Sequence, residues 1–321
     1  MISAPGNPTK QLATLGRRAL ALAACVVLFV SAHGCCGPVA RAPMALGGPV
    51  VDSPPARPTG PAIRLASLSA NVLQTNREVG PVLRYLEARL ARRFELLYCR
   101  NYRDMVVAVE EKRCELAWLS PQTYVSLAPK TGCVPLAQQV NAGRASYRGV
   151  LVVRDSSPID SLDALKGKRL ALVDRSSTSG YAYPLAFFRA RGLEMDRWMA
   201  HVEYAGSHEG ALMSVLRGLN DAAGVEEPVL ERLREKTRAQ GARILAVTGE
   251  IPNGLIVAQR EMPAPLRDAI ARALLEMSTD ERARRVIEGL SQGCEFTGLG
   301  PVSDATYDGV RRVLSEAGLL R

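Results

Sequence analysis

Two hydrophobic spacings alternate along this chain. Apolar runs at 63–66, 94–98 and 115–119 read as buried strands, and between them Val82, Leu83, Leu86 and Leu90, then Tyr102, Met105, Val106 and Val109, recur at the spacing of a helix face. The polar stretch 67–80 reads as a loop, and Ser120-Pro121 stops the third run ahead of a short helix. Strand, helix, strand, helix, strand is the pattern of a parallel sheet with right-handed crossovers. Two extended stretches, 134–140 and 149–153, follow with no helical pattern between them and read as a crossing into a second unit. There the alternation restarts: a turn at Ser157-Pro158, a short helix to Leu165, then strands at 170–173, 199–204 and 222–225. Helices carrying Leu185 and Phe188, then Leu212 and Val215, lie between those strands, and another runs to Arg238. A strand at 244–247 and a return path at 254–258 lead to a final third predicted to be helical, with Leu266, Ile270, Leu274 and Met277 on one face and Val310, Val313 and Leu314 on another. Helices without strands of their own must pack back on the first unit. The expectation is therefore an α/β fold of two lobes, 62–142 plus 253–321 and 143–252. Two parallel-type sheets flanked by helices are joined by two hinge crossings, with a cleft between the lobes.

At 321 residues and 47% hydrophobic composition the chain can bury two modest cores. Residues 1–34 hold Lys10, Arg17 and Arg18, no acid, and an apolar run, which describes an export signal. The run ends at Ala32-His33-Gly34-Cys35, a lipoprotein-type processing site with Cys35, or its neighbour Cys36, as the acylated residue. Residues 35–61, rich in proline, read as a tether. Removing residues 1–34 lowers the formal net charge from +9 to +6. The basic residues are spread along helices and aromatics are 5%, a pattern that argues against nucleic acid as a partner. Of seven cysteines, Cys99, Cys114, Cys133 and Cys294 fall in the folded part, where a Cys133–Cys294 disulfide and free buried thiols both remain open. No Cys or His spacing marks a metal site, and no cofactor motif is present.

The chemistry concentrates at 170–184, LALVDRSSTSGYAYP. A buried strand runs into a helix start, whose unpaired N–H groups and aligned dipoles favour an anion. Ser177, Thr178 and Ser179 add hydroxyl donors at the same point, with no lysine of the nucleotide-cradling loop. A plain helix cap would use one such hydroxyl and leave the rest as loop. Gly206-Ser207-His208-Glu209-Gly210 is a second helix start after a strand, and His208 can donate from either ring nitrogen. Ser179 with His208, and Asp174, Glu209 or Asp221 as a third member, could also be read as a hydrolytic triad, although no G-x-S-x-G elbow is present. Tyr102 and Tyr147 sit where strands meet a turn or crossing and suit a cleft wall. Trp118 and Trp198 read as core.

The run from Tyr147 to Ile159, the segment 162–173, Ser177-Thr-Ser-Gly180 and Gly206-Ser-His-Glu209 together resemble the phosphonate, phosphite and phosphate binding proteins of ABC importers, the PhnD-like family. The resemblance covers roughly 62–300 and implies a two-lobed periplasmic binding fold without catalysis. It implies that Ser177, Thr178, Ser179 and His208 hold a phosphorus oxyanion from the second lobe, with Tyr102 reaching it from the first and Tyr147 from beside the crossing. In aminoalkylphosphonate binders acids hold the ligand's ammonium group. Here Gly254 follows Ile251-Pro252-Asn253 and Pro228 stands at the second acidic position, although Glu226 and Glu227 are close, so a smaller anion is expected. The implied protein is a lipid-tethered monomer that delivers its ligand to a membrane permease. A sensor acting through a membrane partner, a ferric clamp of Tyr102, Tyr147 and His208, and an exported serine hydrolase are the other readings.

Overall fold

The computed structural model describes residues 60–69, 72–236, 241–281, 283 and 296–320. The export segment, Cys35, Cys36, most of the tether and Cys294 lie outside the described residues. Strand β1, Ile63–Leu68, is followed by α1, Val72–Leu90, and β2, Phe94–Cys99. Helix α2, Tyr102–Glu110, starts where the Asn101 side chain accepts the Asp104 N–H. After β3, Leu116–Leu119, Ser120 caps α3, Pro121–Thr131, which carries proline at its first turn and ends at Gly132 in the left-handed region. Then come β4, Val134–Asn141, and β5, Ser146–Arg154.

The second alternation comprises β6, Arg169–Leu172, a wide π-type turn at Thr178–Ala182, α4, Tyr183–Arg189, and the short α5, Met195–Trp198. It continues through β7, His201–Tyr204, α6, His208–Leu216, β8, Ala222–Glu226, and α7, Glu227–Lys236. Strand β9, Ala242–Pro252, leads back through β10, Leu255–Ala258, to α8, Ala264–Glu276, β11, Phe296–Gly300, and α9, Asp308–Glu316.

Two sheets result, ordered β11-β4-β10-β3-β1-β2 and β7-β6-β8-β5-β9. The α/β architecture of two helix-flanked sheets is the one expected, and each sheet is mixed. Strands linked through helices run parallel (β1 with β2 and β3, β6 with β7 and β8), whereas β4, β5, β9, β10 and β11 pair antiparallel. No helix lies between β4 and β5 or between β9 and β10, the two places where the chain passes from one sheet to the other. Val150, Leu151, Val152 and Val153 of β5 are fully buried, as a central strand covered on both faces must be.

Three sequence expectations change. Helix α1 begins at Val72, inside the stretch read as a loop, because Thr75 and Val79 turn inward with Val82 and Leu86. The last third is not all helix: β11 adds an edge strand beside β4, whose short mixed run FTGLG carries no helical or alternating signature. Helix α9 does not pack on the first lobe alone. Val310 and Leu314 join the core of α2 and α3, while Ala317 joins the core of α4 and Phe188, and Arg189 donates to the Ala317 carbonyl. On the first-lobe side Tyr124 donates to Asp304 at 2.5 Å, its ring meets Tyr307 edge-on at 5.1 Å, and Arg311 pairs with Asp304.

Candidate functional site

The carboxyl ends of β1, β3, β6 and β8 open on one cavity of about 330 Å³ between the two sheets. Ligands of open α/β sheets bind beyond the carboxyl ends of parallel strands, where the helices that follow present their N-termini. The π-type turn after β6 is fixed from within its own lobe: the Ser177 hydroxyl accepts the Gly180 N–H at 3.1 Å, and Val173 N–H reaches the Gly180 carbonyl at 3.0 Å. Gly180 is demanded by this closeness, since a Cβ there would stand 2.3 Å from Val173 Cγ2. Ser177, Thr178 and Ser179 are consequently buried while lining the cavity.

Lobe-to-lobe contacts surround this turn. The Gln122 N–H at the start of α3 donates to Thr178 Oγ1 at 2.9 Å, and Gln122 Nε2 donates to the Arg175 carbonyl at 2.8 Å. Thr178 thereby spends an oxygen lone pair on the first lobe and keeps its proton for another acceptor. Burial pushes the Tyr102 phenol up to about 12, opposed by its hydrogen bond with Ser177, and raises Tyr147 well above its ordinary value. Tyr147 and Ser179 hydroxyls lie 3.3 Å apart. Both phenols therefore keep their protons and are donors at neutral pH.

His208, at the first position of α6 behind the Ser207 cap, is oriented by a backbone contact. The Glu226 N–H donates to His208 Nδ1 at 3.2 Å, so the ring proton of the neutral imidazole sits on Nε2, 3.9 Å from Glu226 Oε2. Arg232 faces both Glu226 and Glu209 at 3.6 Å. Glu227, itself buried, pairs with Arg148, whose Nε donates at 2.6 Å.

All six candidate ligand residues, Tyr102, Tyr147, Ser177, Thr178, Ser179 and His208, line this one cavity. The hydrolytic constellation does not assemble: Ser179 faces Tyr147, and His208 faces Glu226. Asp174 accepts from Ser176 N–H, Asp221 pairs with Arg169, and Glu209 faces Arg232. Tyr102, Tyr147 and His208, the residues of the ferric reading, line the same cavity. Sequence reasoning missed Trp118, Gln139, Asn141 and Phe296 on the cavity wall and noted Glu226 only for its charge. Trp118, read as core, is half-buried with its ring edge against Phe296. Its place beside Ser120-Pro121, at the carboxyl end of a predicted parallel strand, was the available signal. Phe296 offered none.

Residues 68–307 match the family of phosphonate periplasmic substrate-binding proteins of ABC transporters. The chain belongs to this family. Among curated relatives, the phosphate-import protein PhnD of Mycolicibacterium smegmatis is 25% identical over 278 residues, covering 80% of this chain and 86% of that protein. The same fold is found in PhnD1 of Prochlorococcus marinus in complex with methylphosphonate (TM-score 0.71, 16% identity, 81% of this chain and 99% of that one). It is found also in a binding component of an ABC phosphonate transporter of Pseudomonas aeruginosa (TM-score 0.71, 17% identity, 80% and 86%). Family members serve as the periplasmic substrate-binding components of importers.

Proposed function

We propose that this chain captures a phosphorus oxyanion, that is phosphate, phosphite or a phosphonate, in the cleft and hands it to an ABC permease. The observation that carries the reading is the convergence of six neutral donor side chains from separate segments on one cavity at two helix starts. In the proposed complex Ser177, Thr178, Ser179 and His208 hold the anion from residues 143–252, while Tyr102 closes on it from the lobe made by 62–142 and 253–321, and Tyr147 from beside the crossing. A fixed set of donors strongly penalises an anion that leaves some of them unpaired. The chain acts as a binding protein and not an enzyme: it needs no cofactor or metal, and every candidate residue has a role in holding an anion. Export by residues 1–34, acylation at Cys35 and the proline-rich tether to 61 complete a lipid-anchored monomer in the cell envelope.

Calorimetric titration of the full-length chain with phosphate, phosphite, methylphosphonate and sulfate tests the reading. Saturable heat with at least one phosphorus oxyanion is expected, and none with any of them overturns it. His208→Ala is expected to weaken that binding by about 1–3 kcal/mol, the worth of one hydrogen bond to a charged group.

A further inference from the structure

The cavity is not uniform. Its first-lobe end is built from Trp118, Gln139, Asn141 and Phe296, residues with no part in the oxyanion seat proposed above. Trp118 Nε1 donates to Gln139 Oε1 at 3.2 Å, and Gln139 Nε2 donates to Asn141 Oδ1 at 2.9 Å, so a neutral side-chain relay crosses this wall. The indole meets Phe296 in an edge contact, centroids 5.7 Å apart. Gly254 keeps the space open: a Cβ there would stand 2.8 Å from the Leu119 carbonyl, 3.6 Å from Trp118 Nε1 and 3.7 Å from Gln139 Oε1, so no side chain can be placed between the relay and the cavity. Of the acids on the wall, Glu226 already faces Arg232 and His208. Glu78 stands half-buried on α1.

Size points the same way. Tyr102 and Gln122 of the first lobe already touch Ser177 and Thr178 of the second, and the cavity still holds about 330 Å³. That is the lower end of the volume of small-molecule sites, roughly 300–1,000 Å³, and far more than a five-atom tetrahedral anion fills, given about 30 Å³ per water.

We infer that the first-lobe end of the cavity, with Trp118 and Phe296 as its wall and the Gln139–Asn141 relay as its rim, is a subsite for an uncharged carbon substituent on the phosphorus. The ligand class is then an organophosphonate whose substituent lays apolar surface on the indole, not an inorganic anion and not an aminoalkyl compound. This rests on the oxyanion reading and narrows it.

The test titrates the full-length chain with phenylphosphonate, methylphosphonate, 2-aminoethylphosphonate and phosphate. Phenylphosphonate is expected to bind at least ~10-fold more tightly than methylphosphonate, the consequence of burying one ring's apolar surface. Tryptophan emission should shift with phenylphosphonate in a Trp198→Phe background, where Trp118 is the remaining indole. Trp118→Leu and, separately, Phe296→Leu are read by the phenyl-to-methyl affinity ratio, which a generally damaged fold would not move; each should bring it towards one. A ratio that survives both substitutions, or 2-aminoethylphosphonate or phosphate binding as tightly as phenylphosphonate, overturns the subsite while leaving the oxyanion seat standing. Silence of all four compounds overturns this inference, and silence of phosphite as well removes the oxyanion reading with it.

Discussion

The two ends of the cavity are made in different ways. The second-lobe end is a local product of sequence: Ser177 and Ser207 each cap the turn that follows, three residues on, and Gly180 lets that turn sit against Val173. The first-lobe end is assembled from a distance: Tyr102, Trp118, Gln139 and Phe296 come from α2, β3, β4 and β11 and meet only once the sheet β11-β4-β10-β3-β1-β2 is formed. One end carries its shape in two short capped helix starts, and the other depends on the register of a whole sheet. Rigid local donors suit an invariant oxyanion, while a wall gathered from several strands can be altered residue by residue without disturbing the anion seat.

The sharpest way to break this contrast is Gly180→Ala. Its added methyl would meet Val173 at 2.3 Å, and overpacking of this kind costs about 1–3 kcal/mol, so thermal unfolding should fall by several degrees and anion binding should be lost together with it. If the variant keeps full affinity, the turn is not pre-built. Next comes Thr178→Val, which leaves the buried Gln122 N–H unpaired; a loss of about 1–3 kcal/mol in stability is expected by chemical denaturation, with Thr178→Ser recovering most of it. Tyr102→Phe removes a single first-lobe donor. Affinity for the best phosphorus oxyanion should drop by about 1 kcal/mol, and because that phenol titrates only near 12, wild-type affinity should show no step from its ionisation between pH 7 and 10.

The smallest effect concerns the α9 contact. The Tyr124 hydroxyl and then Arg311 hold the Asp304 carboxyl below its usual range. A carboxylate lowered on folding stabilises the native state above the unfolded value, about 3.9, and that contribution disappears as pH falls through the lower folded value. Asp304→Asn should therefore lower the melting temperature slightly at pH 7 and flatten its fall below about pH 4; identical pH profiles would show that Asp304 carries no such linkage.

Much of this was readable beforehand, for physical reasons. Apolar runs such as 150–153 and helix faces such as Val82 to Leu90 obey spacings that survive any tertiary context, so the α/β alternation could be read from them. Ser177, Thr178 and His208 were readable because a helix start needs local partners, which lie next to it in sequence. What could not be read was set by long-range pairing. The antiparallel placement of β10 between β3 and β4, the edge strand β11, and the indole of Trp118 turned to a cavity depend on neighbours dozens of residues away. Glu226 is an intermediate case: it was noticed for its charge, and only the fold shows its main chain orienting His208.

The position of α9 bears on how the molecule matures. Residues 308–320 are the last of the described segments to be synthesised, yet they fill gaps in the cores of both α3 and α4. A nascent chain halted before Asp308 would present two unfilled apolar surfaces at once, the kind of transiently exposed surface that recruits chaperones or aggregates. Closure of both cores thus waits on residues 308–320.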